Sequence, residues 1–223
     1  DCFAIIALNG KEPIAVNGSG KAPRKADLEY FSQRNINKID LTSPHSVTIP
    51  GAVHAWYTMH QKFGKLDFEQ LLITAENLAR EGFPVHEVEA FHWKKNENKL
   101  KKNHISKNEF LVNGKAPRFA TKFRNINLAN TLKIIGKKGS SGFYEGNIAK
   151  DMVKSLNDLG GSHTEEDFYN QKTIFSNTLV SKYKNIYINQ CPPNGPGIIV
   201  HLMMKLLDRF NWSSIDPLNL KRF

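Results

Sequence analysis

The stretch FGKLDFEQLLITAENLAREGFPV, residues 63–85, predicts a helix whose two ends are both marked in the sequence. Asp67 is a typical N-cap, because its carboxylate can accept hydrogen bonds from the free N–H groups of the first turn. Gly82 is typical of the position just after a helix, where a positive φ is common. Apolar residues recur at helical spacing between these ends, at Phe68, Leu71, Leu72, Ala75, Leu78 and Ala79. We therefore expect a helix from Phe68 to Arg80.

Upstream of this helix, the sequence predicts a β-hairpin and another helix. Residues 3–8, FAIIAL, are typical of a buried strand, and Asn9-Gly10 is a strong hairpin turn signal. Residues 13–16 would form the returning strand. The chain then breaks at Pro50-Gly51, and we expect a helix from about Ala52 to Lys62.

Further elements follow from caps, glycines and apolar spacing. Residues 173–190 alternate well enough for two strands joined near Ser181 to Asn185, and Asn113-Gly114 marks a turn. The lysine-rich run at 94–109 is interpreted as a solvated helix and linker. Further helices are expected at about 25–34, 145–158 and 197–210. Pro84 is expected to open a helix at about 85–93, and Asn127 to cap one that ends near Gly136. A capping box of Thr164 and Asp167 predicts one more short helix.

The chain has 223 residues and a formal net charge of +10, which fits one α/β domain or two small ones. A net positive charge suits an anionic partner, but the lysines alternate with asparagine and glutamate and no nucleic-acid-binding motif accompanies them. Nucleic acid is therefore not the favoured partner. No apolar run approaches the ~20 residues of a membrane helix. The start, DCFAIIALNG, is not expected to be a signal peptide. Both a cytoplasmic and a periplasmic location stay open.

The glycine-rich segment AVNGSGKAP, residues 15–23, is not a phosphate loop. That motif requires a glycine where this chain has Ala15, and a serine or threonine where it has Ala22. A dinucleotide-binding turn is excluded because Pro23 lacks an N–H group and disfavours helix before it. Two interpretations remain open: a plain turn, and a turn that lines a binding site.

No complete catalytic constellation, metal site or cofactor motif is recognisable. His54 and His60 are six residues apart and therefore lie on different faces of a helix. His201 is interpreted as a packing histidine on an apolar helix, and Cys191 as a buried structural thiol. The two cysteines, Cys2 and Cys191, neither require nor exclude a disulfide. We expect no cofactor and no metal.

Five segments together resemble the gamma-glutamyltranspeptidase family, in the same order and at matching distances. They are VNGSGKAP, SVTIPGAVHAW, FGKLDFEQLLITAENLAREGFPV, FYEGNIAKDMVKSLNDLGGSHTEEDF and PPNGPGIIVHLMMKLLDRF. The resemblance extends over nearly the whole chain. It implies a helix-rich α/β (α+β) fold, as part of the αββα sandwich of the N-terminal nucleophile hydrolases.

The resemblance also implies a mechanism and a partner. In this family a precursor cleaves itself into a large and a small subunit, and the small subunit begins with a nucleophilic threonine whose own α-amino group is the base. Residues 1–223 resemble only the middle of the large subunit, without the initial helices and without the small subunit. The threonines at 42, 48, 121, 164 and 178 do not match the nucleophile motif. We therefore expect no catalytic residue in this chain and a small subunit from the same precursor as its partner.

One pocket position can be carried over from the family. Transpeptidases have an arginine in a pattern like R-E-x-A-P, which binds the substrate α-carboxylate. Ser19 takes the place of that arginine in S-G-K-A-P. The candidate substrate-binding residues are Ser19, Gly20 and Lys21, and the PPNGPG loop at 192–197 is a candidate second rim. Lys21 or Arg24 could supply a replacement charge, or both could point into solvent.

Three functions are therefore compared. The first is an autoprocessed, gamma-glutamyltranspeptidase-like amide hydrolase or acyltransferase that acts on a small-molecule amide, γ-glutamyl or other. The second is a non-catalytic remnant that binds anions or nucleic acid. The third is a glutathione hydrolase whose carboxylate clamp has moved to Lys21 or Arg24. On its own, the 223-residue chain is expected to be inactive and poorly stable, because a partial sandwich leaves sheet edges and apolar faces exposed.

Overall fold

The computed structural model describes residues 1–210, 215–216 and 218–220. These residues form ten α-helices: α1 (Leu28–Gln33), α2 (Ala52–Phe63), α3 (Phe68–Glu81), α4 (Glu87–Leu100), α5 (His104–Phe110), α6 (Ile126–Lys138), α7 (Ser141–Tyr144), α8 (Gly146–Asp158), α9 (Glu165–Tyr169) and α10 (Gly197–Leu207). They also form seven strands: β1 (Cys2–Ile6), β2 (Ile14–Gly18), β3 (Phe83–Pro84), β4 (Lys122–Phe123), β5 (Ile174–Asn177), β6 (Leu179–Tyr183) and β7 (Ile186–Gln190). The chain divides into two compact units, one made of Asp1–Met59 with the chain from Ser155 onward, the other of His60–Lys154.

A three-stranded antiparallel sheet in the order β1-β2-β5 is the centre of the first unit. The predicted hairpin is confirmed: Cys2 pairs with Gly18 and Ile6 with Ile14, and Gly10 in the connecting turn has φ +71°. The prediction of a buried strand at 3–8 is wrong in its burial and its length. Phe3 and Ile5 are 39% and 40% exposed, because β1 is the edge strand and one of its faces is open.

The region 173–190 contains three strands, whereas the sequence predicted two. β5 pairs with β2, and β6 pairs with β7 in a separate hairpin that turns at Lys184. The chain therefore leaves one sheet for another at Thr178, a change that the alternating pattern does not reveal. α10 packs against the β6–β7 hairpin.

The core of the first unit is formed by β2, which is buried on both faces, and by the segments around it. Its buried apolar residues are Ala15, Val16, Ile49, Val53, Ala55 and Phe168. The capping box at the start of α9 is confirmed, because the Thr164 hydroxyl accepts from the Asp167 N–H while the Asp167 carboxylate accepts from the Thr164 N–H. This box places Phe168 in the core.

In the second unit, α3 packs along α6, and the predicted ends of α3 are confirmed. The Asp67 carboxylate accepts from the Glu69 N–H at 2.9 Å, and Gly82 follows the last turn with φ +92°. The N-cap of α6 is Asn125, where the sequence predicted Asn127. Asn125 accepts from the Leu128 N–H, whereas the Asn127 side chain donates to the carboxylate of Glu109.

The prediction that Pro84 opens a helix is wrong: Pro84 pairs in β3, and His86 is the N-cap of α4. The lysine-rich run is helical with exposed lysines, as predicted, but its linker is shorter than expected, because α4 continues to Leu100 and α5 begins at His104. Glu97 stabilises this region, since it accepts hydrogen bonds from Lys94 in α4 and from Lys101, the C-cap of α4. None of the helices in the described part of the chain is both long and apolar enough to cross a membrane.

Candidate functional site

Ser19, Gly20 and Lys21 directly follow β2, and they begin with an Asx turn in which Asn17 Oδ1 accepts from the Ser19 N–H. A Cβ atom on Gly20 would lie 1.5 Å from the carbonyl oxygen of Ile49, so no other residue fits that position. The Ile49 N–H donates to the Lys21 carbonyl at 2.9 Å. The turn therefore packs directly against the backbone of residues 49–51. Glycine is required at position 20 because the Ile49 carbonyl leaves no room for a side chain.

The turn is joined to the loop before α10 by three side chains. Asn17 Oδ1 accepts from the backbone N–H of Ser19 at 3.0 Å, and it lies 2.8 Å from Ser19 Oγ. Asn194 Oδ1 accepts from Asn17 Nδ2 at 2.9 Å and from Ser19 Oγ at 3.1 Å. The two segments that the sequence suggested as rim loops are therefore brought together, through two asparagines that sequence reasoning did not single out.

The remaining polar groups of the turn also have partners within the first unit. The Gly20 N–H donates to Asp1 Oδ1 at 3.0 Å, and the Ser19 carbonyl accepts from the buried Gln171 side chain at 3.2 Å. The N–H groups of Ser19 and Gly20 are thus already engaged. A ligand would therefore contact the side chains of the turn and not these two backbone N–H groups.

Lys21 and Arg24 are both exposed. The backbone N–H of Arg24 donates to Asp167 Oδ1 at 3.0 Å, so this part of the chain is tied to the start of α9. Burial raises the pKa of the Asp167 carboxyl, but hydrogen bonds from the Arg24 N–H and from Thr164 outweigh it and lower the pKa overall. Asp167 is therefore held in its charged form and binds the backbone N–H of Arg24, three residues after Lys21.

The histidines of the first unit support the fold around this site. His54 Nδ1 lies 2.8 Å from Thr173 Oγ1 and accepts from the Thr173 N–H at 3.2 Å. Burial lowers the pKa of His54, and the nearby Lys172 lowers it further. His201 packs on α10 as predicted, with its Nδ1 hydrogen-bonded to Ser181 Oγ, but its buried Nε2 has no hydrogen-bond partner among the described residues.

The cysteines and the acidic residues do not form a reactive centre of their own. Cys191 is half-buried, not buried as predicted, because it lies at the start of the loop before α10; its Sγ contacts the Ala4 carbonyl at 3.4 Å. Cys2 and Cys191 are both free thiols. Among the residues that the structure describes, no three His, Cys, Asp or Glu side chains are grouped as metal ligands.

Solved structures with the same fold define the class of protein. The gamma-glutamyltranspeptidase of Helicobacter pylori superposes with a TM-score of 0.92 at 25% identity, over 99% of this chain and 64% of that one. A cephalosporin acylase from Bacillus halodurans superposes with a TM-score of 0.88 at 26% identity, over 93% of this chain and 40% of that one. The predicted helix-rich α+β fold, part of the αββα sandwich of the N-terminal nucleophile hydrolases, is confirmed.

The sequence profile described as gamma-glutamyltranspeptidase matches residues 1–222, and this chain belongs to that enzyme family. The resemblance inferred from the five segments is thereby confirmed. Among relatives, the glutathione hydrolase-like YwrD proenzyme of Bacillus subtilis (strain 168) is 29% identical over 90% of this chain. The chain spans 38% of the length of that relative and 37% of the glutathione hydrolase proenzyme of the same organism.

Proposed function

We propose that residues 1–223 are part of the large subunit of an autoprocessed amide hydrolase or acyltransferase. In this proposal the nucleophile is a threonine outside this chain, which cleavage of the precursor makes the first residue of a small subunit. Family membership over residues 1–222 and the proenzyme names of the Bacillus subtilis relatives support it. The chain contributes the supporting sheet and one rim of the substrate pocket.

The chemistry follows from an N-terminal nucleophile. The free α-amino group of the threonine removes the proton of its own hydroxyl, and the oxygen attacks the carbonyl carbon of the amide. The C–N bond breaks, the amine leaves with the proton, and the acyl group stays on the threonine as an ester. Water or an acceptor amine then attacks this ester, which gives hydrolysis or transfer.

The turn of Ser19, Gly20 and Lys21 is proposed to line the acyl pocket. The observation that carries this role is the network joining Ser19 to Asn17 and Asn194, which holds two family segments as one polar rim. The rim is uncharged at the position where transpeptidases have an arginine. A hydroxyl cannot replace the two-pronged, charged contact of a guanidinium with a carboxylate.

The acyl groups that suit this rim are neutral. Losing one hydrogen bond to a charged group weakens binding by about 1.5–3 kcal/mol, which is about tenfold to a hundredfold. We therefore propose that an amide with an uncharged acyl group is a better substrate than a γ-glutamyl amide.

The test uses the complete gene that encodes this chain. Mass spectrometry of the purified product should find two polypeptides, the second beginning with threonine, and replacing that threonine by alanine should abolish cleavage. Steady-state assays should then give a kcat/KM at least about tenfold higher for an anilide of a neutral acyl group than for a γ-glutamyl anilide. An uncleaved product that is inactive on both anilides would contradict the proposal.

The alternative of a glutathione hydrolase, in which Lys21 or Arg24 binds the substrate α-carboxylate, predicts a different effect of substitutions on γ-glutamyl and neutral substrates. The exposure of Lys21, next to the rim, is the observation that favours it. If Lys21 binds the α-carboxylate, Lys21→Gln lowers kcat/KM for a γ-glutamyl anilide and leaves the neutral anilide unaffected. Arg24→Gln tests the second candidate cation in the same way. Equal effects on both anilides count against a clamp.

A non-catalytic remnant that binds anions or nucleic acid is the alternative from another class. The formal net charge of +10 favours it. An intact, uncleaved gene product that binds DNA or RNA with a steep dependence on salt would support this alternative.

A further inference from the structure

The positive charge of this chain is concentrated in one segment of the second unit. Residues 94–124 contain ten lysines and arginines and two glutamates, a net +8 of the +10 carried by the whole chain. These residues run from the second half of α4 through α5 and the following loop to the end of β4. The charge is therefore not spread evenly along the chain but concentrated in one stretch of 31 residues within the second unit.

The loop between α5 and β4 encloses a cavity of about 410 Å³, within the usual range of ligand pockets. Three cationic residues are among those that line it, Lys115, Arg118 and Lys122. Asn113 and Thr121 add polar groups, and no acidic residue is among the lining residues.

The nearest buried acid is already occupied by other partners. Glu97 accepts from Lys94 at 3.0 Å, from Lys101 and from the Ala116 N–H at 3.1 Å. The hydrogen bond from Lys101, followed by those from Ala116 and Lys94, lowers the pKa of Glu97 to about 2. Within the described part of the chain, none of the ion pairs involves the three cations of the cavity.

The walls of the cavity are fixed by backbone hydrogen bonds. Val112 and Lys115 exchange two, at 2.9 and 3.1 Å, across the Asn113-Gly114 turn. Val85 donates to the Thr121 carbonyl and accepts from the Ala120 N–H, which anchors the other end of the loop. The backbone of the loop that carries the cations is thus already ordered before a ligand binds, which reduces the entropy lost on binding.

We propose that this cavity is a binding site for a small, multiply charged anion, specifically a phosphorylated small molecule. Arg118 supplies the planar guanidinium that matches a phosphate in two-pronged fashion, and the two lysines supply point charges. Pro117, which is buried, and Val112, which is half-exposed, also line the cavity and would give apolar contact to the organic part. A small ligand is favoured over a nucleic acid because the three cationic residues line a single cavity of about 410 Å³, which is the size of a small-molecule pocket.

The test measures pyrophosphate binding to the complete gene product by calorimetry at low salt. The triple variant K115Q/R118Q/K122Q removes the cations of the cavity. The matched control K95Q/K99Q/K102Q removes the same number of charges from exposed positions of the same segment. We expect Kd to rise at least about thirtyfold in the first variant and less than about threefold in the control, since three charge-assisted contacts are lost only in the first.

A second measurement uses the unaltered protein, in case the triple variant fails to fold. Pyrophosphate should protect Lys115 and Lys122 from acetylation by a small reagent, as read by mass spectrometry, and should leave Lys95, Lys99 and Lys102 reactive. Absence of pyrophosphate binding, equal weakening in both variants, or equal protection of all five lysines would overturn the proposal. A short single-stranded RNA that binds more tightly than pyrophosphate, and is weakened equally by both variants, would assign the surface to nucleic acid and also overturn it.

Discussion

Ser19 Oγ lies 3.1 Å from Asn194 Oδ1, although the two residues are 175 positions apart. Asn17 completes the contact, because its Nδ2 donates to the same Asn194 oxygen at 2.9 Å. One amide oxygen therefore fixes two segments of the first unit against each other. This relationship makes Asn194 the residue on which the shape of the proposed rim depends.

Asn194→Leu should loosen this rim, because Asn17 Nδ2 loses its acceptor and Ser19 Oγ loses its contact with the loop before α10, keeping only Asn17 Oδ1. Two hydrogen bonds at about 0.5–1.5 kcal/mol each predict an increase in KM of about tenfold for an accepted anilide, with kcat less affected. Asn194→Asp keeps an acceptor oxygen in the same place and should retain a KM close to that of the unaltered enzyme for a neutral substrate. If the aspartate variant is as impaired as the leucine variant, the acceptor is not what matters.

Gly20→Ala should destabilise the first unit strongly. The added Cβ would meet the Ile49 carbonyl oxygen at 1.5 Å, and relieving that clash breaks the bond between the Ile49 N–H and the Lys21 carbonyl. Overpacking against backbone costs about 3 kcal/mol or more, visible as a lower midpoint in urea unfolding. The control is Gly195→Ala, whose Cβ would meet only the Phe3 ring at an ordinary 3.6 Å. Equal midpoints for the two variants would show that residue 20 is not tightly packed.

The helix ends were predictable from the sequence wherever the signal was local. Asp67, Gly82 and the pair Thr164 and Asp167 act within one turn of the chain, so their residue types already specify the hydrogen bonds that form. Asn125 and Asn127 show the limit of this reasoning. Both are acceptable caps by type, and the choice depends on Glu109, which pairs with Asn127 from another helix.

The candidate site was predictable only in part, because its contacts join residues far apart in the chain. Ser19, Gly20 and Lys21 could be selected by resemblance, but the partner of Ser19 in the loop before α10 could not. PPNGPG drew attention through its glycines, whereas the contact is made by its asparagine. The cavity lined by Lys115, Arg118 and Lys122 was missed for a similar reason: these residues lie beyond the lysine-rich run, in a loop whose place beside Glu97 is set by a contact 19 residues apart in the chain.

Glu97 should make the stability of the second unit sensitive to acid. Its pKa is about 2 in the folded protein, below the ordinary 4.5, so the unfolded chain takes up the proton first as pH falls. The stabilisation is therefore complete above pH 4.5 and is lost progressively toward pH 2. Urea unfolding across this range should show a smaller loss in Glu97→Gln than in the unaltered protein. Glu87→Gln, an exposed substitution in the same helix, should not reduce the loss; if it does so equally, Glu97 is not the group responsible.

His54 predicts a separate loss of stability at milder pH. Its Nδ1 accepts from the Thr173 N–H, so a proton on that nitrogen would oppose the bond, and burial lowers the pKa below 6.5. The unfolded chain is protonated first as pH falls below 6.5, and stability decreases from there. The free energy of unfolding should decrease less over this window in His54→Gln than in the unaltered protein. The exposed His92→Gln variant should follow the unaltered protein, and a matching change there would disprove the assignment.

The outer face of α10 should make the purified 223-residue chain associate in solution. Leu202, Met203 and Leu206 are 56%, 52% and 59% exposed and share that face, together with Ile198 and Ile199. A contiguous apolar surface of this kind marks a site of association, whereas single exposed leucines do not. We expect the chain to bind a fluorescent apolar dye and to elute as oligomers.

Leu202→Glu with Leu206→Glu should shift that chain toward the monomer and reduce dye binding, because two charges interrupt the apolar face. The matched control changes Leu28 and Leu41 to glutamate. These leucines are more exposed than those on α10 but lie far apart in the sequence, so the same charge is added without interrupting a shared helix face. Light scattering during gel filtration distinguishes the outcomes. A monomeric chain that melts sharply and reversibly would contradict the expectation of poor stability, and equal effects of the two double variants would mean that charge alone governs association.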